Sequence, residues 1–137
     1  MITSLLVVVS GSIIALLGIA HLALTFRGPK LLPRDRDLLP KLQEAHLVIT
    51  DQTTLWRAWI GFNASHSLGA ILFGFVYSYL AIAHPEVLFA SVPLQMCGLV
   101  VLAAYLVLAI RYWFITPIAG ISLSLMCYVI AMAVAWT

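Results

Sequence analysis

Four histidines and four tryptophans carry most of the chemistry this sequence offers, and His21 and His66 lie inside stretches otherwise free of charge. Near neutral pH an imidazole serves as base, proton carrier or metal ligand. An ionisable group inside a membrane-crossing segment marks a functional site by default. His66 sits in the run Trp56-Arg57-Ala58-Trp59-Ile60-Gly61-Phe62-Asn63-Ala64-Ser65-His66-Ser67, where Asn63 and His66, three residues apart, share a helix face. The candidate ligand-binding residues are therefore His21, Trp56, Arg57, Trp59, Asn63 and His66. Three readings compete for this set: hydrogen bonds that lock helices together, a ligand or cofactor pocket, and proton transfer. Arg57 either orients an anionic group or snorkels as an interfacial anchor.

Histidines in a helical bundle also raise haem. His46 and His84, the latter next to Pro85, stand apart from the other two. That leaves His21 with His66 as one haem b site at most, with no metal or cofactor as the leading expectation. At 1.5 Å rise per residue, His66 lies about 15 Å from the Trp56 level and His21 about 9 Å from Arg27, which predicts rings at unequal depth. Cys97 and Cys127 belong to no Cys-x-x-Cys pair and read as small hydrophobes. The sequence has no phosphate loop, paired carboxylates, serine nucleophile motif or zinc motif.

The elements that must carry these residues are set by an apolar composition. Of 137 residues 64% are hydrophobic and only 9% are charged, against about 25% charged in soluble domains. Mean hydropathy is +1.10. A water-soluble domain is excluded, and so are a disordered tail, a disulfide scaffold and a nucleic-acid binder, since net charge is only +2 and there are two cysteines. Lipid is the expected partner of most of the surface.

Charge-free runs at 2–26, 58–85, 87–110 and 112–137 each exceed the roughly 20 residues a bilayer core requires and predict four transmembrane helices, approximately 2–26, 54–83, 89–111 and 116–136. The predicted class is all-α, a polytopic four-helix bundle forming one transmembrane domain with antiparallel neighbours. Ten of the twelve charged residues lie between Arg27 and Arg57, and six of the seven Lys and Arg among them. Arg111 falls between the third and fourth spans. The positive-inside rule then puts loop 27–53 and the Arg111 turn in the cytoplasm and both termini outside. Trp56, Trp59, Tyr112 and Trp113 would form an aromatic belt on the cytoplasmic side, with Trp136 at the opposite interface. The first span lacks the positive n-region of a signal peptide and reads as a retained helix.

In the loop, Gly28-Pro29 and Leu32-Pro33 interrupt helix formation, and Arg34-Asp35-Arg36-Asp37 is a solvated charge run. Beyond Pro40, the spacing of Leu42, Ala45, His46 and Ile49 predicts a short helix on the membrane surface, with an irregular tether as the alternative. Thr50 or Asp51 would cap the second span, and Thr116-Pro117 would open the fourth. Residues 86–90 would make a short interfacial turn, since Pro85 and Pro93 bracket it.

Small residues recur at helical spacing on three spans. These rows are Gly11, Ala15, Gly18, His21 and Thr25 on the first, Gly61, Ser65 and Gly69 on the second, and Gly120, Ser124, Cys127 and Ala131 on the fourth. Each row predicts close helix approach. A further face of the second span, Trp59, Asn63, His66, Ala70, Gly74 and Tyr77, is expected to pack against the first.

The strings Gly18-Ile19-Ala20-His21, Gly28-Pro29-Lys30-Leu31-Leu32-Pro33-Arg34 and Thr54 through Gly69 give the chain a likeness. It resembles a family of short bacterial four-helix integral membrane proteins of uncharacterised activity, bearing a WRAWIGFNASHS-like motif. The resemblance implies a bacterial inner membrane. The resemblance carries no activity; from the density of His, Asn, Ser, Gly and Trp on the second span, the expected function is binding of an apolar or amphipathic ligand, or of a partner membrane protein or second copy, through the first two spans. The alternatives are a redox or enzyme component using His66, with His21, as ligand or base, and an oligomeric transporter.

Overall fold

The computed structural model describes residues 1–136, and they form an all-α protein. In chain order the elements are α1 (Ile2–Phe26), α2 (Leu38–Glu44), β1 (His46–Leu47), β2 (Thr50–Thr54), α3 (Leu55–Ala83), α4 (Pro85–Ala90), α5 (Val92–Tyr112) and α6 (Ile115–Ala135). Helices α1, α3, α5 and α6 are long and apolar enough to cross a membrane. Large apolar side chains point outward along all four, among them Leu16, Phe75, Ile82 and Val100. In water such exposure would be ruinous; in lipid it costs nothing, since hydrocarbon solvates leucine as well as a protein core does. The chain is an integral membrane protein.

The chain divides into two compact units, Met1–Leu17 with the segment from Ala70 onward, and Gly18–Gly69. The first unit is a helical bundle drawn from all four long helices. Its core joins Val7 and Ile14 of α1 to Ala70, Phe73, Tyr77 and Ala81 of α3, Leu102 and Ala109 of α5, and Ile121, Tyr128 and Ala131 of α6. Glycines set its spacing: a Cβ on Gly11 would lie 2.7 Å from the Gly74 carbonyl oxygen, and one on Gly74 would strike the Gly11 carbonyl. The first-span row and the Gly120 row face inward as expected. The Gly61, Ser65, Gly69 row does not. All three are exposed, and nothing lies within 4 Å of a Cβ placed on Gly61.

The second unit holds the ends of α1 and α3 that meet the loop, and the loop itself. The surface helix expected after Pro40 is corrected: α2 starts before the proline and stops at Glu44. Ala45, His46 and Ile49 therefore share no helical stripe with Leu42. Instead β1 pairs antiparallel with β2, matching His46 to Thr54 and Leu47 to Thr50 with an irregularity between His46 and Leu47. Proline at position 40 fits because the first turn of a helix has no internal acceptor for its amide. Thr50 and Asp51, expected to cap α3, lie in β2; the Arg57 amide donates to Thr54 Oγ1 at 3.3 Å. Gly28 supplies the one positive φ among the described residues, +85°, just beyond α1.

The ends of the other spans differ in detail. Residues 86–90 form helix rather than turn, in α4, and α5 starts at Val92, where Ser91 Oγ accepts from the Leu94 amide at 3.4 Å. Helix α6 starts at Ile115, which puts Pro117 in its first turn and Phe114, not Thr116, at the cap position.

Candidate functional site

Helices α1 and α3 bring three of the six sequence candidates together within the second unit. His21 and Asn63 bond across the helices, Nε2 to Oδ1, at 2.9 Å. The Asn63 Nδ2 donates to the Trp59 carbonyl at 2.8 Å, one turn back on α3. Only the amide NH2 can face that carbonyl, so the amide oxygen faces His21, and His21 Nε2 must carry the proton. Asn63 is 2% exposed, and no buried side-chain nitrogen or oxygen among the described residues lacks a partner.

Two hydroxyls finish this network by bonding back along their own helices. Thr25 Oγ1 donates to the His21 carbonyl, and Ser67 Oγ to the Asn63 carbonyl, each at 2.8 Å. Such bonds satisfy a buried hydroxyl without a partner helix and slightly bend the helix that carries it.

His66 stands beside this network. Its ring meets His21 edge to face, centroids 5.8 Å apart and planes at 86°, and lies nearly parallel to Phe62 at 6.4 Å. The rings meet in spite of the unequal depth expected of them, and any difference in depth is held within the 5.8 Å between their centroids. His66 is eleven residues into α3, about 16 Å along it, whereas His21 is five residues, about 8 Å, from the end of α1. Since His21 also bonds Asn63, eight residues or about 12 Å into α3, the start of α3 projects about 5–9 Å beyond the end of α1. Setting the Trp56 level equal to the Arg27 level leaves out this overhang, which is what brings the two rings within contact.

Trp59, Phe62 and His66 recur at steps of three and four and form one flank of α3. Trp59 is 43% exposed and Phe62 67% exposed, while His66 is half-buried. Arg57 does not join them: two residues from Trp59 is about 200° around a helix, so its exposed side chain leaves from the opposite flank. Trp56 is half-buried at the first turn. As an axial haem pair, His21 and His66 would need nitrogens facing each other across a porphyrin. His21 Nε2 is engaged by Asn63, and the rings already pack against one another. No group of three His, Cys, Asp or Glu among the described residues could hold a metal ion.

The other two histidines lie elsewhere. His46 Nδ1 donates to the Thr53 carbonyl at 3.1 Å within the hairpin. His84 sits between α3 and α4, 3.4 Å from the Tyr79 hydroxyl and 3.6 Å from Glu86. Cys97 is exposed and Cys127 buried.

Sequence reasoning missed two polar centres, both in the first unit. Ser10 and Ser124 bond Oγ to Oγ at 2.8 Å, and Ser124 also donates to the Ser10 carbonyl at 3.0 Å. Gln95, 5% exposed, is the larger omission. Its Nε2 donates to the carbonyls of Leu88 and Phe89, at 3.3 and 2.8 Å, near the end of α4. Its Oε1 accepts from Trp136 Nε1 at 2.8 Å, and its carbonyl from the Tyr128 hydroxyl at 3.0 Å. A lone glutamine in an apolar span was the available signal. All four of these bonds stay inside the protein and bind α4, α5 and α6 together, a structural task. The chain matches no protein-family model, no curated protein and no solved structure.

Proposed function

We propose that this protein is a membrane-embedded binding module, and that its recognition surface is the Trp59, Phe62, His66 flank of α3 beside His21. The ligand is amphipathic, with an apolar body against the two aromatic rings and a polar group at the imidazole. One observation carries this reading: a hydrogen-bonded network lies directly beside an exposed aromatic flank. Asn63, Ser67, Thr25 and the Nε2 of His21 are used up within the protein, whereas His66 and the aromatic rings on its flank keep exposed surface. Aromatic and apolar lining with a few placed polar groups is the usual make-up of a small-molecule site.

The same reading includes the setting. The Lys and Arg distribution favours a cytoplasmic loop between α1 and α3 with both termini outside, and the resemblance stated above favours a bacterial inner membrane. Alternation of four spans puts the Arg111 turn on the loop side as well. Homo-oligomerisation or a membrane-protein partner would compete for the same flank.

The test is mass spectrometry of small molecules retained on the purified protein, comparing wild type with His66→Ala, Phe62→Ala and, as a control on another face, Leu72→Ala. A specific amphiphile retained by wild type and Leu72→Ala and depleted several-fold in the other two supports the reading. Identical content in all four proteins overturns it.

A further inference from the structure

The segment between α1 and α3 exposes several large apolar side chains, Leu32 and Leu38 at 41% each, and exposes them most fully at the tip of its hairpin. Val48 and Ile49 form the two-residue turn between Leu47 and Thr50, and they are 109% and 88% exposed. Two-residue hairpin turns ordinarily take Asn, Asp or Gly, whose backbones accept positive φ. Here neither Val48 nor Ile49 has positive φ, and the turn is built from two β-branched apolar side chains instead. Neither choice helps the turn itself. Adjacent large apolar residues at the most exposed point of a polar segment mark a surface that something covers.

We propose that the Val48-Ile49 turn is a membrane-contacting wedge, seated in the boundary between headgroups and acyl chains on the loop side of the bilayer. Three observations select lipid over other occupants. First, reach: β2 runs directly into α3, and its five residues, Thr50–Thr54, span at most about 17 Å. The tip therefore stays within a short distance of a helix that enters the membrane. Second, anchorage: the Leu55 amide donates to the Ala45 carbonyl at 2.9 Å, and Thr54 caps α3, so the hairpin is fixed to the start of the span and does not swing freely. Third, charge: between Arg27 and Arg57 six Lys and Arg outnumber four Asp and Glu, and the cationic excess favours anionic headgroups over an acidic protein surface. This inference is independent of the binding site proposed on α3.

The test places a polarity-sensitive fluorophore on the full chain. In a Cys97→Ala/Cys127→Ala background, Ile49→Cys carries the label in one protein and Gln52→Cys, an exposed polar position on the same hairpin, in another. Both are reconstituted at high dilution in phosphatidylethanolamine and phosphatidylglycerol vesicles, with nitroxide lipids as quenchers at two depths, and circular dichroism verifies the helix content of each. Expected at position 49 are blue-shifted emission and quenching several-fold stronger from a nitroxide near the headgroup than from one at the chain end, with water-like emission at position 52. Water-like emission at 49 overturns the proposal. So does blue-shifted emission that no lipid quencher reaches, which would mean a protein surface covers the tip. Equal quenching at both positions assigns the contact to the whole loop and also overturns the wedge.

Discussion

Asn63 shows what a buried amide does where lipid surrounds the helices. Its carbonyl oxygen reaches across to His21 and its nitrogen turns back to Trp59, so one side chain joins two helices and fixes the tautomer of a histidine. Interhelical bonds in membranes average about 0.6 kcal/mol and reach about 1.7. Removing one partner of a buried pair costs more, because the other loses its bond and keeps its desolvation. Asn63→Ala is expected to lower stability by about 1–2 kcal/mol in detergent-induced unfolding. The His21→Ala/Asn63→Ala double-mutant cycle should return a coupling of about 0.6–1.7 kcal/mol. Coupling near zero would show that the bond contributes nothing. Gln95→Leu is expected to be more damaging than Asn63→Ala, because Trp136 and the carbonyls of Leu88 and Phe89 all lose a partner at once. Trp136 fluorescence in a Trp56→Phe/Trp59→Phe/Trp113→Phe background reports the loss directly.

Among the elements, α3 separates what small residues do from what they merely resemble. Two of its faces carry small residues at helical spacing, and only the Ala70, Gly74 face meets α1. Gly74→Ala and Gly11→Ala are expected to cost about 1–3 kcal/mol by overpacking. Gly61→Ala, with open space around it, should be neutral or stabilising by up to about 1 kcal/mol through helix propensity. Thermal unfolding of the three variants checks the order. Gly28→Ala would strain a backbone at φ +85° by about 1–2 kcal/mol.

The spans themselves were legible, because a charge-free run of that length has few other fates. The pairing of His21 with Asn63 and His66 was legible from shared faces. Which of two rows on α3 turns inward was not, since lipid accepts either and spacing alone is silent. The hairpin escaped notice because Leu42, Ala45, His46 and Ile49 imitate a helical period over too few residues, while β-branched turn residues concealed the turn. Gln95 was overlooked because its partners are two backbone carbonyls and a tryptophan 41 residues away, which no spacing along one helix announces.

For the molecule as a whole, charge rather than shape carries the orientation. Ten of twelve charges crowd one connection, leaving Glu86 and Arg111 elsewhere. With the proposed topology, an impermeant thiol reagent added to intact cells should label Glu86→Cys and spare Gln52→Cys, both in the cysteine-free background. The reverse pattern would invert the protein. The overhang of α3 then has a consequence for the choice of membrane. At 29 residues α3 is about 43 Å long, whereas α5 and α6, at 21 residues each, are about 31 Å, close to the thickness of a bilayer core. At 25 residues α1 is about 38 Å, so hydrophobic mismatch falls most on α3 and next on α1, and tilt or local bilayer deformation must absorb it. Acyl-chain length becomes a dial: thicker bilayers immerse the imidazole pair more deeply, and thinner ones bring it toward the aqueous phase.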